Sequence, residues 1–229
     1  MADPDVAAPL LLINFKAYGS SIGRNAERLA EQILLAKAET KTQVTVAVAV
    51  QPTDIFRLKR FKLPILSQHA DLVSFGAHTG HILPESLKES GAVGSLLNHS
   101  ECQIPLVRIE STVKRLRSIG IQSVVCANTP SIAENVAKFE PDFIAIEPPE
   151  LIGGDVSVSK ANPEIVTNTI KKVHSVHGSI PVLCGAGVKD HEDVRIAIKL
   201  GAEGILVASG VTKAKDPKGA VIDLLSGFE

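Results

Sequence analysis

Apolar residues in this chain come in short continuous runs, and nearly every run is followed by a stretch of helical period. Leu10-Leu11-Leu12-Ile13 is the first run, followed by Asn14-Phe15-Lys16. A segment apolar at every position reads as a strand buried on both faces. Arg24 to Glu39 then sets Ala26, Leu29, Ala30, Ile33, Leu34 and Ala38 along one side at helical spacing. Val44 to Val50 is a second, β-branched run, halted by Gln51-Pro52, and Thr53-Asp54 is a candidate cap for a helix over Ile55 to Lys62. Asp71 to Ala77 predicts a third, weaker strand, and Leu83-Pro84-Glu85 opens a short helix that closes at Gly91. Val93 to Leu97 predicts the fourth strand, ending in Asn98-His99-Ser100-Glu101. Ser100 and Gln103 have capping-box spacing, which predicts a helical turn directly after His99.

The second half repeats the pattern. A longer helix follows Pro105 and runs to Ile119-Gly120, and Ser123 to Ala127 is the fifth strand. Thr129-Pro130 and Asn162-Pro163 each place a cap residue before a proline at the first helical position. They predict helices running to Phe139 and to near Gly178. Between them Asp142 to Ile146 is the sixth strand, and Glu147-Pro148-Pro149 stops it because proline has no ladder N–H. Pro181 to Cys184 and Gly204 to Val207 are the seventh and eighth strands. Asp190 caps the helix between them, which reaches Leu200 with Gly201 as its C-cap; Asp216-Pro217 starts the last helix, ending near Leu225.

Strict strand–helix alternation implies a parallel sheet with helices outside. Eight repeats in 229 residues favour closure into an α/β (β/α)8 barrel, one domain over residues 1–229, with an open doubly wound sheet as the alternative. No G-x-G-x-x-G follows the first strand, as a dinucleotide fold would require. Composition narrows the function. Hydrophobic residues make up 45% and charged residues 21%, ordinary globular values, and the net charge of −1 suggests no nucleic-acid or anionic-membrane partner. No apolar run approaches the roughly 18 residues of a membrane span, and the acidic start Met1-Ala2-Asp3-Pro4-Asp5 is not a secretory signal. Cys102, Cys126 and Cys184 are odd in number and widely spaced, arguing against disulfides or zinc and for a reducing, cytoplasmic compartment.

In a barrel of this kind, chemistry sits at strand C-termini and the loops after them. Those positions hold Asn14 and Lys16 after strand one, Asn98, His99 and Glu101 after strand four, and Glu147 after strand six. Small-residue loops follow the last three strands: Ile152-Gly153-Gly154, Gly185-Ala186-Gly187 and Ala208-Ser209-Gly210. The remaining strand ends offer Gln51, His78, Cys126 and Asn128. Singly, such a lysine or glutamate is a solvated charge and such a histidine a structural residue. Together they bring a cation, an imidazole and a carboxylate to one mouth, beside loops able to line backbone N–H groups around a phosphate. His69, His78 and His81 lack partners at ligand spacing and are expected to be structural or interface residues, so no metal site is expected. His174 and His177 are expected to be solvated or to complement a helix end.

Asn14-Phe15-Lys16, Asn98-His99-Ser100-Glu101 and Ala145-Ile146-Glu147-Pro148 with Ile152-Gly153 closely resemble the signatures of the triosephosphate isomerase family, in matching order, from about Leu10 to Leu225. Glu147 to Gly153, Cys184-Gly185-Ala186-Gly187 and Leu206 to Gly210 resemble its compact archaeal branch, which is typically tetrameric. The resemblance implies interconversion of D-glyceraldehyde 3-phosphate and dihydroxyacetone phosphate through an enediolate, in glycolysis and gluconeogenesis, without a cofactor. It implies Glu147 as base, His99 as neutral electrophile, Lys16 as fixed positive charge and Asn14 as hydrogen-bond donor to substrate oxygens. Glu101 would support the Lys16 and His99 geometry. Ile152, Gly153, Gly187, Ala208 and Ser209 would hold the phosphate through backbone N–H groups, and Pro148 to Gly154 would form a lid, with Glu150 a loop residue of no assigned role. Phe75 to His81 resembles the family's third loop, which docks into a neighbouring subunit, so a homo-oligomer, a homotetramer above all, is expected.

The chain departs from the bacterial and eukaryotic pattern. Pro149-Glu150-Leu151 replaces a Val-Trp-Ala motif, Gly187 replaces a serine, and Ala208-Ser209 replaces a double glycine. The alternatives are another phosphate-binding barrel enzyme, such as a sugar-phosphate epimerase, and a non-catalytic metabolite-binding barrel. A metal-dependent epimerase would want His and Asp ligands on several strand ends, and a binding module would be expected to lose the base or the electrophile.

Overall fold

The apolar runs pair side by side, all parallel, until the last meets the first. The computed structural model describes residues 6–148 and 162–229. Among these, β1 (Leu10–Asn14), β2 (Thr45–Val50), β3 (Ile65–Ser67), β4 (Gly94–Leu97), β5 (Gln122–Ala127), β6 (Phe143–Ile146), β7 (Val182–Cys184) and β8 (Gly204–Val207) close into a barrel in sequence order. The closing seam pairs Leu10 with Gly204 through Ile13 with Val207. Around it run α1 (Arg24–Thr40), α2 (Pro52–Leu58), α3 (Pro84–Ser90), α4 (Leu106–Ser118), α5 (Pro130–Ala137), α6 (Pro163–Val176), α7 (His191–Lys199), the single turn α8 (Ser209–Thr212) and α9 (Pro217–Ser226).

The continuous apolar runs have a direct cause. Side chains alternate between strand faces, and here both faces are covered. Leu10, Leu12, Ala47, Ala49, Leu66, Leu96, Val124, Cys126, Phe143, Ala145, Leu183 and Leu206 fill the lumen. Leu11, Ile13, Val46, Val48, Val50, Val125, Ile144, Ile146 and Ile205 pack beneath the helices. Truncating one lumen residue, such as Leu12→Ala, is expected to cost about 2–5 kcal/mol because so closed a layer cannot collapse into the void. Val6 joins the lumen cluster at the N-terminal end, where it exchanges two hydrogen bonds with the Gln122 amide at 2.8 and 3.0 Å.

Several helix starts follow the cap chemistry of the sequence. The Thr129, Asp190 and Asp216 side chains accept hydrogen bonds from the N–H groups of Ile132, Asp193 and Gly219. Asn162 precedes α6 without a side-chain cap bond, and α2 starts at Pro52 itself. Asp54, the expected cap, is instead buried and accepts from Gly23 N–H at 2.9 Å.

Two expectations are corrected. The third strand is Ile65–Ser67, at most 2% exposed, and residues 71–77 form a largely exposed loop. That loop is clasped at its base, where Asp71 N–H donates to the Ile82 carbonyl at 3.0 Å and Ile82 N–H donates to Asp71 Oδ2 at 2.7 Å. His78 therefore lies in an exposed loop, not on the barrel rim. The turn expected directly after His99 forms but does not continue into a helix. Cys102 N–H donates to the His99 carbonyl at 2.8 Å, and α4 starts only at Leu106. Pro105 is the reason, since the residue before a proline is pushed out of helical conformation.

Candidate active site

Strand parity carries two of the candidate residues into the mouth. Asn14 continues the inward series Leu10, Leu12, and Glu147 continues Phe143, Ala145; both are 4% exposed. Lys16 gets there differently. Its φ is +50°, a left-handed conformation that costs a residue with a Cβ about 1–2 kcal/mol. Neighbours hold it there. Lys16 N–H donates to Asn14 Oδ1 at 3.0 Å, and the Lys16 carbonyl accepts from Gln68 Nε2 at 3.0 Å. Gln68 Nε2 also reaches Asn14 Oδ1 and the Ala49 carbonyl, each at 3.2 Å, while its Oε1 accepts from Gln51 Nε2 at 2.7 Å. The Lys16 ammonium, 2.8 Å from Glu101 Oε1, is thereby fixed at the mouth.

His99 also depends on a backbone inversion. Asn98 has φ +58°, which breaks the strand alternation just before it. The Asn98 side chain staples that bend, Nδ2 donating to the Cys126 carbonyl at 2.9 Å and Oδ1 accepting from Ile104 N–H at 3.0 Å. His99 Nδ1 accepts from Glu101 N–H at 3.1 Å. A ring nitrogen that accepts carries no proton, so the neutral ring bears its hydrogen on Nε2. Burial lowers the His99 pKa, the Lys16 charge lowers it further, and Glu101 opposes them. Burial and the Lys16 charge thus account for the neutrality that the family resemblance implies for this ring.

Nε2 lies 3.5 Å from Glu147 Oε1. Glu147 is pinned by its backbone, with its N–H on the Ala127 carbonyl at 2.8 Å and the preceding Ile146 carbonyl accepting from Gly185 N–H at 3.0 Å. Burial raises its pKa to about 7; the Cys126 thiol and Lys16 lower it and Glu101 raises it. Oε2 is buried without a geometrically sound hydrogen-bond partner, so the Cys126 contribution is a weak contact. The Cys126 thiol is itself pushed well up by burial and by the Glu147 charge. Glu101 is drawn down overall, the Lys16 hydrogen bond and charge outweighing the effect of burial.

One pocket takes in Asn14, Lys16, His99, Glu147, Gly187, Ala208 and Ser209. Glu101 lies on the other side of Lys16, lining an adjoining cavity with Gln51, Gln68 and Cys102. Ile152, Gly153, Glu150 and most of the expected lid lie outside the described residues. Gly187 has φ +69°, so the serine of the better-known pattern would be strained at this position. After β8 the chain turns at once into α8, presenting the start of a helical turn at Ser209. The sequence pattern alone missed Gln68, hidden by the misplaced third strand, and Tyr18, which lines the pocket of Asn14, His99 and Glu147. Among the described residues no group of three or more His, Cys, Asp and Glu side chains is placed to hold a metal. His69 pairs with Asp71 at 3.4 Å, and His174 Nε2 lies 3.2 Å from the Ile180 carbonyl.

A closed (β/α)8 barrel with a buried carboxylate, a neutral imidazole and an ammonium at its C-terminal mouth defines a barrel enzyme equipped for proton transfer. The family description "Triosephosphate isomerase" matches residues 9–226. The triosephosphate isomerase of Methanobacterium bryantii is 45% identical over 219 residues, covering 95% of this chain and 96% of that protein. That of Methanocaldococcus jannaschii is 42% identical over 217 residues, covering 94% and 98%. The crystal structure of triosephosphate isomerase from Bartonella henselae superposes with a TM-score of 0.73 over 97% of this chain and 98% of that one; at 19% identity this likeness concerns the fold. The chain belongs to the triosephosphate isomerase family, and its likeness to the Methanobacterium bryantii and Methanocaldococcus jannaschii proteins places it with the archaeal type.

Proposed function

We propose that Glu147, His99 and Lys16 carry the reaction of this enzyme, an aldose–ketose isomerase that interconverts D-glyceraldehyde 3-phosphate and dihydroxyacetone phosphate. The activity is that of the family to which the chain belongs, and its place in metabolism is glycolysis and gluconeogenesis. Glu147 removes a proton from the carbon beside the carbonyl, and the electron pair moves into an enediolate. The same carboxyl returns the proton to the neighbouring carbon. A base with a pKa of about 7 suits this task at neutral pH, being both ionised and basic enough to take a carbon-bound proton. His99 donates through Nε2–H to the substrate oxygens, and Lys16 stabilises the charge that develops on them. A neutral imidazole is the better-matched donor here, since an imidazolium would neutralise the adjacent base.

Asn14 adds a hydrogen bond to substrate oxygen, and Glu101 fixes both the Lys16 ammonium and the His99 tautomer. The phosphate is held by backbone N–H groups of Gly187, Ala208 and Ser209, joined by those of Ile152 and Gly153, which follow β6 in sequence. No metal or organic cofactor takes part in this scheme. The observation that carries the reading is the buried Glu147 carboxylate 3.5 Å from the Nε2 of a ring whose Nδ1 already accepts a hydrogen bond. Glu147→Gln in a coupled assay of glyceraldehyde 3-phosphate conversion tests it. Turnover should fall by several powers of ten while inorganic phosphate still competes for the site; near-normal turnover refutes the assignment.

We also infer a single barrel domain over residues 1–229, working in the cytoplasm as a homo-oligomer, most compactly a homotetramer. No described helix is long and apolar enough to cross a membrane. The loop before α3 exposes Phe75 at 75% and Leu72 at 40%. A cavity of about 210 Å³ beside Lys16 and His99, bordered by Gln51, His69 and Cys102, is the surface such a loop of a second copy would fill. Small-angle scattering giving a monomer mass in dilute solution would overturn the oligomer.

A further inference from the structure

Glu147 occupies space that any side chain at residue 185 would need. A Cβ on Gly185 would lie 2.7 Å from Glu147 Cγ, 3.4 Å from its Cδ and 3.2 Å from the Ile146 carbonyl oxygen. Carbon atoms pack at about 3.5–4.0 Å, so restoring contact requires a displacement of about 1 Å. The backbone cannot supply it. Gly185 N–H is bonded to the Ile146 carbonyl at 3.0 Å and Glu147 N–H to the Ala127 carbonyl at 2.8 Å, both continuing the barrel ladder. The movable part is the Glu147 side chain, whose carboxylate faces His99.

Backbone conformation does not explain the glycine. Gly185 is not among the glycines with positive φ, in contrast to Gly187 two residues later. It follows Leu183 in the inward series of β7, so its Cβ position is the one that faces the mouth. We infer that Gly185 is a positioning residue for isomerisation: the missing side chain is the socket in which the Glu147 side chain lies, and it sets the reach of the carboxylate toward the substrate carbon. The inference rests on Glu147 being the base.

Gly185→Ala tests it. A misplacement of about 1 Å at a reacting group costs roughly 10²-fold, so kcat should fall on that order. KM, and the competitive inhibition constant of inorganic phosphate, should stay within about threefold, because Gly187, Ala208 and Ser209, which hold the phosphate, are unchanged. The same substitution in a Glu147→Ala background, where Cγ and Cδ are gone, should cost less than about a third of the melting-temperature loss seen in the wild-type background. A kcat for Gly185→Ala within about threefold of wild type overturns the socket, as does an equal melting-temperature loss in both backgrounds. If Gly185→Ala fails to fold alone, folding of the Gly185→Ala, Glu147→Ala double variant supports the inference, and failure of both overturns it. Near-normal turnover by Glu147→Gln would refute the base assignment separately. Loss of turnover there beside an unaffected Gly185→Ala would remove only the socket.

Discussion

Burial of Glu147 should make this residue's contribution to fold stability smaller at alkaline than at acid pH, and Glu147→Gln should remove that pH-dependent contribution. The carboxyl is 4% exposed and its pKa is raised from 4.5 to about 7, with burial as the largest cause. At about 1.36 kcal/mol per pKa unit, the ionised form is disfavoured in the folded state by roughly 3 kcal/mol. Between pH 4.5 and pH 7 the folded chain keeps a proton that the unfolded chain has released, so stability falls as pH rises through this window and levels off above it. Glutamine has the same shape and no charge. Any fixed offset between an amide and a protonated carboxyl is independent of pH, so the quantity to compare is the stability difference, variant minus wild type, at two pH values. It should grow by roughly 3 kcal/mol in the variant's favour from pH 4.5 to pH 8. Urea denaturation at one fixed protein concentration, in phosphate-free buffer, measures it. A difference that stays flat, or that grows toward acid pH, would refute the account of Glu147 as a carboxyl held in the site against a desolvation cost. Conversely, a stabilised but inactive variant would show that this cost serves catalysis.

The remaining expectations concern rate, the Lys16 support and assembly. The acid limb of kcat/KM should bend near pH 7, where Glu147 gains its proton, and a limb near 4.5 would show that burial does not tune the base. Gln68→Ala removes the amide bonded to Asn14, the Lys16 carbonyl and the Ala49 carbonyl, and should cost about 1–3 kcal/mol of stability with a raised KM; unchanged melting and kinetics would deny it a role in holding the strained Lys16. Phe75→Asp should drive the assembly toward smaller species in light scattering, and an unchanged mass would exclude this loop from the interface.

Much of this protein is legible without coordinates because a barrel strand buried on both faces has no polar option until it ends. The first charged or amide residue after an apolar run therefore marks the rim, as Asn14, Asn98 and Glu147 do, and Lys16 and His99 follow within two residues of it. The same rule failed at the third strand. Ile65–Ser67 is only three residues long and follows Pro64, while Leu72, Val73 and Phe75 make the neighbouring loop look more like a strand. Hydropathy records that a residue avoids water, not which surface covers it, and so Gln68 went unseen. Asn98 and Lys16 show the other limit. Their positive φ values redirect side chains that simple alternation would misplace, and those values exist only because Cys126, Ile104, Asn14 and Gln68, distant in sequence in part, hold the bends. Local pattern alone determined the eight-fold alternation and the residue types at the mouth. The aim of each side chain, the tautomer of His99 and the raised pKa of Glu147 were decided by tertiary structure, because each depends on distances and burial between strands that the chain itself keeps far apart.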